Sequence, residues 1–363
     1  MRYAKVFLGL AISVAFLVYA FRGQDYGAIW DAVTGVNVLL LLPALALYFL
    51  GVAARAFRWS VLLRPVQRIS ARELLPVTAI GFMANNVLPF RTGEVVRSYV
   101  VARRHGVRKS AVLATIAVER IFDGLAMLGF ILVAASTVTF TSELRHVTWV
   151  ALILFGIAIV GLVVVTLAES LRVRLMDTLF ARLPTALAER VRPLADSFFT
   201  GLSALRSGRA IGLVAGSSLL AWLLEASMYW TIARAFGGEV QRVLGPAETL
   251  LTTGVANLFT LVPSSPGYVG PFEAGVVAVV EGALNASGAS ALSYAIVVHA
   301  TLWFPITVWG AVEWSRQHLS LRQVQAAESP DVDGEPAAAA PPARRSSTQA
   351  TAQAVEPRSS NAA

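Results

Sequence analysis

The chain has 363 residues, of which 56% are apolar or aromatic and 14% charged, against about 25% charged in a soluble domain; with a mean hydropathy of +0.64, that argues against a soluble enzyme. The net charge of +8 does not call for nucleic acid, because membrane proteins concentrate Lys and Arg at cytoplasmic helix ends. Cysteine is absent and His105, His146, His299 and His318 are scattered, so there is no disulfide framework, thiol nucleophile or metal signature, and no cofactor is expected.

Residues 4–21 form the first apolar run, flanked by Arg2 and Lys5. Tyr19-Ala20-Phe21-Arg22 offers no small-x-small cleavage site, so the run reads as a signal anchor or first span. The next connection holds Arg22, Asp25 and Asp31 and reads as outside. Residues 36–54 are the second span, and Arg55, Arg58, Arg64, Arg68 and Arg72 then mark the cytoplasm. Arg91, Arg97, Arg103, Arg104, Arg108 and Lys109 mark it again. Between these basic stretches lies 74–90, apolar but interrupted by Asn85, Asn86 and Pro89. Both flanks belong inside, so this segment reads as a re-entrant hairpin from the cytoplasmic face, a geometry that requires protein or a water-filled cavity around it.

Residues 110–140 and 147–168 are long enough to cross. Segment 169–209 is cytoplasmic by its arginines. Leu187, Val191, Leu194, Phe198, Leu202 and Leu205 recur in it at helical spacing, with Thr185 after Pro184 as N-cap. This predicts an amphipathic connector lying on the membrane or against the bundle. Residues 210–233 run outward, and 289–314 run inward because Arg316, His318 and Arg322 follow. Between them, 249–262 and 269–284 are short and split by Pro263-Ser264-Ser265-Pro266-Gly267, a second hairpin entering from outside. The expected fold is all-α: a polytopic integral membrane bundle of about six full spans plus two re-entrant hairpins from opposite faces. Interrupted hairpins in that arrangement are what an inverted-repeat transporter presents, although no sequence repeat is detectable. From 326 the composition turns to Ala, Pro, Ser, Gln and Glu without apolar periodicity. Residues 1–320 therefore read as the membrane domain and 326–363 as a disordered cytoplasmic tail.

Charges inside apolar segments cost a few kcal/mol each and point to function. Glu119 and Asp123 share a helix face, and Arg120 can pair with Asp123 on the same helix. In the first hairpin Pro89 removes a donor, Asn85 and Asn86 can bond the groups this break exposes, and Gly93 permits a close approach. A helix starting near Thr92 aligns Glu94 with Arg97. If this cluster meets the other, Arg91, Arg97 and Arg120 balance Glu94, Glu119 and Asp123, a structural ion network that can still hand an Arg to a phosphate. In the second hairpin Pro266-Gly267 breaks the first half-helix and Pro271 suits the first turn of the next. Glu273 sits near that N-terminus, where the dipole favours it or an anionic headgroup. Glu225 and His299 lie within spans as further candidates.

Arg58-Trp59 with Leu62-Leu63, then Asn86-x-Leu88-Pro89-x-Arg91-x-Gly93-Glu94-x-x-Arg97, Glu119-Arg120-Ile121-x-Asp123, and Pro263-x-x-Pro266-Gly267-x-x-Gly270-x-Phe272-Glu273 occur in one order. This ordered set resembles the lysylphosphatidylglycerol synthase transmembrane-region family, or flippase-like domain proteins, over roughly residues 4–315. The resemblance implies a helical bundle with re-entrant segments and a lipid path, and makes Arg91, Glu94, Arg97, Glu119, Arg120, Asp123 and Glu273 its polar residues. Best-understood relatives fuse this domain to a cytosolic aminoacyl-transferase, synthesise lysylphosphatidylglycerol and flip it. No such transferase domain follows the last span here, so lipid lysinylation is not expected. Where many members carry Arg in the last span, this chain has His299.

The expectation is a flippase-like protein of the plasma membrane, both termini cytoplasmic, moving an anionic phospholipid or lipid-linked glycan. Its partners are membrane lipids, with a homo-oligomer or an envelope-biosynthesis partner also open. The alternatives are a membrane-embedded glycosyl- or phospho-transferase using a polyprenyl-phosphate donor, with Glu94, Glu119 or Asp123 as base or metal ligand, and a scaffold for envelope-lipid enzymes. No aspartate-rich or nucleotide-cradling loop supports the transferase.

Overall fold

The computed structural model describes residues 2–88, 92–135, 137–138, 184–262 and 264–320, with scattered residues between 145 and 178. Among them every regular element is helical. α1 (Arg2–Phe21) turns through 90° into α2 (Tyr26–Thr34). Gly23, at φ +75°, supplies the turn, and the Asp25 carboxylate caps α2 by accepting from Gly27 N and Ala28 N.

α3 (Val38–Leu63) starts at its Asn37 cap and is followed by α4 (Ala71–Val87), α5 (Gly93–His105) and α6 (Lys109–Ala134). α4 opens on a Ser70 cap: Ser70 Oγ accepts from Glu73 N and donates to Glu73 Oε1. α5 ends at Gly106 in the left-handed region. α7 (Thr185–Leu202) leads through a single 3-10 turn to α8 (Gly208–Phe236). α9 (Gly238–Val243), α10 (Pro246–Phe259), α11 (Pro271–Val280) and α12 (Gly288–Arg316) complete the order.

α3, α8 and α12 are each long and apolar enough to cross a bilayer, and the bent α1–α2 pair makes a fourth candidate. α6 matches α3 at 26 residues but carries Glu119, Arg120 and Asp123 along its middle. The expected span at 147–168 lies largely outside the described residues, as do Pro89, Arg91, Pro263 and the segment from 321 onward. Large apolar side chains such as Leu39, Leu42, Phe304 and Val308 are exposed along the outer faces of α3 and α12. A water-soluble monomer rarely shows such a continuous apolar surface. The chain is thus a polytopic all-helical membrane bundle.

Two sequence expectations need correction. The second span does not stop at residue 54: α3 runs on to Leu63. Arg55 and Arg58 are therefore helix residues, 7% and 1% exposed, and not part of a loop flank. They stay in the helix because acidic side chains from α6 and α8 meet them. Thr185 is not at the cap position either: Pro184 occupies it and Thr185 is the first residue of α7. Of the predicted apolar stripe, Leu202 and Leu205 pack with Val61, Leu62, Val118 and Val214, whereas Leu187 is exposed. The side chains of Leu194 and Phe198 lie outside the described residues. Contact with α6 is close because Gly201 faces the Ala111 carbonyl and Ala114.

The helix ends fix the relative directions. Asn37 N donates to Ala235 O at 2.9 Å, so α3 begins where α8 ends. Ser293 Oγ donates to Ile29 O, and Ser287 Oγ to Glu239 Oε2, which places the start of α12 at that end too. α4 runs back along α12: Trp314 packs in the cluster of Leu74 and Val77, Gly310 faces Met83 and Ala79, and Asn86 reaches Thr307. The tip of α4 thus lies midway along the 29-residue α12. The turn leading into α11 arrives at the same level, where His299 meets Gly267.

Candidate functional site

The first helix break is built by proline chemistry and two glycines. Leu88, preceding Pro89, is extended at φ −99°, ψ 146°, as the proline ring requires of its neighbour. α5 returns against α4 through Gly93, where a Cβ would collide with the Gly81 carbonyl. Asn85 Oδ1 accepts from Gly93 N at 2.8 Å, so this side chain does satisfy the broken backbone. Asn86 instead donates to Thr307 Oγ1 at 2.8 Å and ties the tip to α12.

The ion cluster forms where α3, α5, α6 and α8 meet. Arg58 Nη1 lies 2.5 Å from Asp123 Oδ1 and donates to Ser218 Oγ at 2.9 Å. Its Nε is 3.7 Å from Glu119 Oε1. Arg97 Nη1 donates to Glu119 Oε2 at 3.0 Å, with its guanidinium 3.9 Å over the Trp59 ring. Arg120 bridges Glu94 at 3.3 Å and Asp123 at 3.4 Å. Trp222 Nε1 adds a donor to Asp123 Oδ1 at 2.8 Å. Among the described residues, three cations therefore balance three anions here, and Arg58 is a member the sequence did not assign to the network. Burial of Arg58, Arg97, Glu119 and Asp123 is tolerated because each has an opposite partner; removing Arg58 leaves an uncompensated buried charge, whereas Arg120 and Glu94 are partly exposed. Glu94 and Arg97, expected to align, each pair with α6 and not with each other.

A further pair lies beside this network. Arg55 Nη2 is 2.6 Å from Glu225 Oε2, with its guanidinium 4.7 Å from the Trp222 ring centre. Asn257 Nδ2 donates to Glu225 Oε1 at 3.3 Å. Glu225 is thus a partnered carboxylate joining α3, α8 and α10.

The second break follows α10. Pro266–Tyr268 forms a 3-10 turn, with Gly267, Tyr268 and Gly270 at φ +74°, +61° and +102°. α11 then starts on Pro271, as its fixed φ favours. Glu273, in the first turn, accepts from Gly270 N at 2.6 Å. Its other oxygen lies 2.5 Å from His299 Nδ1. Gly270 is required twice over, by its φ and because a Cβ would strike the Ser13 backbone of α1.

Between the two breaks lies a cavity of about 130 Å³. Asn85 and Asn86 from the first break and Gly267 and Tyr268 from the second line it. Arg120, Asp123, Arg55, Glu225 and His299 contribute to its polar wall with Asn257 and Thr260, and Tyr48, Phe82, Trp222 and Trp303 are among the aromatic groups. Of the sequence candidates, Asn85, Asn86, Gly267, Arg120, Asp123, Glu225 and His299 converge directly. Glu273 stands behind His299, Glu94 contacts Arg120, and Arg97 and Glu119 are buried in the adjoining network. Sequence reasoning missed Arg55, Arg58, Ser218, Trp222 and Asn257. The absence of any helix-stop signal between Val52 and Leu63 is what would have brought the two arginines inside.

Residues 6–310 match the lysylphosphatidylglycerol synthase TM region family. Among individual proteins, glycosyltransferase AglD of Haloferax volcanii is 25% identical over 325 residues, covering 82% of this chain and 52% of that protein. The chain thus spans about half the length of that relative. A UPF0104 membrane protein of Methanothermobacter thermautotrophicus is 24% identical over 322 residues, covering 85% of this chain and 92% of its own length. The order of motifs, the two helix breaks and a match over nearly the whole membrane part agree, and the chain belongs to the lysylphosphatidylglycerol synthase transmembrane-region family.

Proposed function

We propose that this protein is a flippase-like carrier that moves an anionic phospholipid or lipid-linked glycan between the leaflets of the plasma membrane. The observation that supports this best is the cavity between the two helix breaks, which sets Arg120 and the Arg55–Glu225 pair midway along an apolar helix. In this reading 1–320 is the transport domain and 326–363 a cytoplasmic tail. About six segments cross, both termini are cytoplasmic, and α4–α5 and α10–α11 are re-entrant hairpins from the inner and outer faces.

Arg120 is the headgroup's first contact. Its side chain is 34% exposed, whereas Arg58 and Arg97 are sealed. A phosphate can displace the Glu94 contact and take the guanidinium in a bidentate grip. Asp123 tolerates the exchange because Arg58 and Trp222 still hold it. The cavity volume suits a phosphate group and falls short of the roughly 300–1,000 Å³ of whole-ligand pockets, so passage of a headgroup requires the hairpin tips to part. Acyl chains remain in lipid.

The test is reconstitution in liposomes containing a fluorescent phosphatidylglycerol, with leaflet exchange followed by dithionite quenching. Exchange faster than in protein-free vesicles is expected; none across a panel of anionic lipids sinks the proposal. A transferase reading draws on the name of the Haloferax relative. It is disfavoured by Glu119 and Asp123, both held by buried arginines and poorly placed to act as bases, which leaves Glu94. Consumption of a polyprenyl-phosphate-linked sugar by the detergent-purified protein would decide for it.

A further inference from the structure

Both ring nitrogens of His299 face acceptors. Nδ1 lies 2.5 Å from Glu273 Oε1, and Nε2 lies 2.9 Å from the Gly267 carbonyl oxygen. A neutral imidazole has one donor and one acceptor nitrogen, while a carbonyl and an ionised carboxylate only accept. The arrangement is satisfied only with one proton more than ionised Glu273 and neutral His299 provide. On the ring, that proton lets both nitrogens donate. On Glu273 Oε1, it donates to Nδ1 and leaves Nε2–H for Gly267. Glu273 Oε2 is already engaged by Gly270 N, so the carboxyl cannot turn to relieve the mismatch without breaking that bond.

We propose that Glu273 and His299 form a proton-binding site whose occupancy holds the Gly267–Gly270 turn closed against the first hairpin. When the proton leaves to the cavity, Nδ1–H remains with Glu273, and the Nε2 lone pair then faces the Gly267 carbonyl and repels it. The turn needs holding, because Gly267, Tyr268 and Gly270 all have positive φ and Tyr268 has a side chain that disfavours it. Closure seals the tips: a Cβ on Gly267 would sit 3.2 Å from the Asn86 carbonyl oxygen and would collide with Trp303. The other charged or titratable groups around the cavity are Tyr48 and Arg55 of α3, Arg120 and Asp123 of α6, Glu225 of α8, and Tyr268 of the turn. Arg55 is paired with Glu225, and Arg120 with Asp123, so neither pair supplies the missing proton's charge. The consequence for transport, a proton that gates separation of the hairpin tips, rests on the function proposed above; the proton site itself does not.

The site is tested by nitrogen-15 NMR of histidine-labelled protein in phosphatidylethanolamine–phosphatidylglycerol nanodiscs, with His299 assigned by its loss in His299→Gln. As pH is raised, wild-type His299 should pass from a form protonated at Nε2 to one protonated at Nδ1 alone. In Glu273→Gln the amide donates to Nδ1 and its oxygen accepts from Gly270 N, so His299 should keep Nε2–H throughout. One unchanged tautomer in the wild type, or the same change in Glu273→Gln, overturns the proposal; the wild-type titration decides alone if the variant fails to fold. In liposomes, exchange of fluorescent phosphatidylglycerol should follow an imposed pH gradient, and exchange that ignores the gradient overturns the coupling. Absence of any exchange counts against the transport function, and the NMR result stands independently.

Discussion

Arg58 and Arg120 bind the same aspartate, yet their surroundings make them different residues. Arg58 is fully enclosed, so Arg58→Ala leaves Asp123 and Glu119 short of a buried partner. Breaking such a pair costs about 3–5 kcal/mol, and the thermal midpoint in detergent should fall sharply or the protein should fail to accumulate. Arg120→Ala opens an ion pair that is partly solvated and worth about 0–1 kcal/mol. Its melting should stay near that of the wild type while lipid exchange falls several-fold; equal loss of both would make Arg120 structural. Gly93→Ala should also destabilise, by about 1–3 kcal/mol for overpacking, because its methyl meets the Gly81 carbonyl and Asn85. The acids of α6 were legible as functional candidates from sequence because charge in an apolar run is expensive. Arg97 and Arg120 were legible with them, but Arg58 was not, since an Arg past an apolar run looks the same whether it faces water or a buried carboxylate.

Caps and breaks set the elements, and most were written in the chain. Ser70-x-x-Glu73, Asp25, Asn37 and Ser207 cap as their side chains allow, and Pro271 starts a helix as expected, whereas α10 already ends at Phe259, ahead of the Pro266-Gly267 turn. Ser287 has a double role: it accepts from Ser290 N to cap α12 and donates to Glu239 on α9 at 2.6 Å. That hydroxyl bond, with help from Ser290, holds the Glu239 carboxyl below its ordinary pKa. A depressed carboxylate stabilises the fold above its unfolded pKa, and the contribution is lost as pH falls through the folded value. Ser287→Ala should therefore cost about 1 kcal/mol for the cap and flatten the loss of stability on acidification, measured as melting midpoint against pH. Glu239 lies at the surface, so the pH-dependent part is small. The extent of α3 was misread because a cluster of arginines resembles a cytoplasmic flank. The helix continues where partners from α6 and α8 neutralise them.

Across the whole molecule, the two helix breaks meet at mid-length of α12, and that convergence makes a cavity where each hairpin alone would leave broken backbone exposed. The arrangement predicts orientation. Because the chain has no cysteine, single-cysteine variants report sidedness cleanly. Gln67→Cys, beyond the end of α3, should react with an impermeant maleimide only after the membrane is opened. Arg242→Cys, on α9, should react in intact cells. The reverse pattern would invert the bundle and with it the faces assigned to the hairpins.

By itself the sequence determined that this is a helical membrane protein, where its helices break, which polar residues are anomalous and which family it resembles. Those properties are local: run length, proline and glycine chemistry, and the cost of a charge in an apolar stretch can each be read within a window. Only the tertiary structure decided which charges are partners. Arg58 answers Asp123, Arg55 answers Glu225, and His299 is set between Glu273 and the Gly267 carbonyl. These pairings join residues far apart in the chain, and their geometry follows from how whole helices pack, which no local pattern encodes.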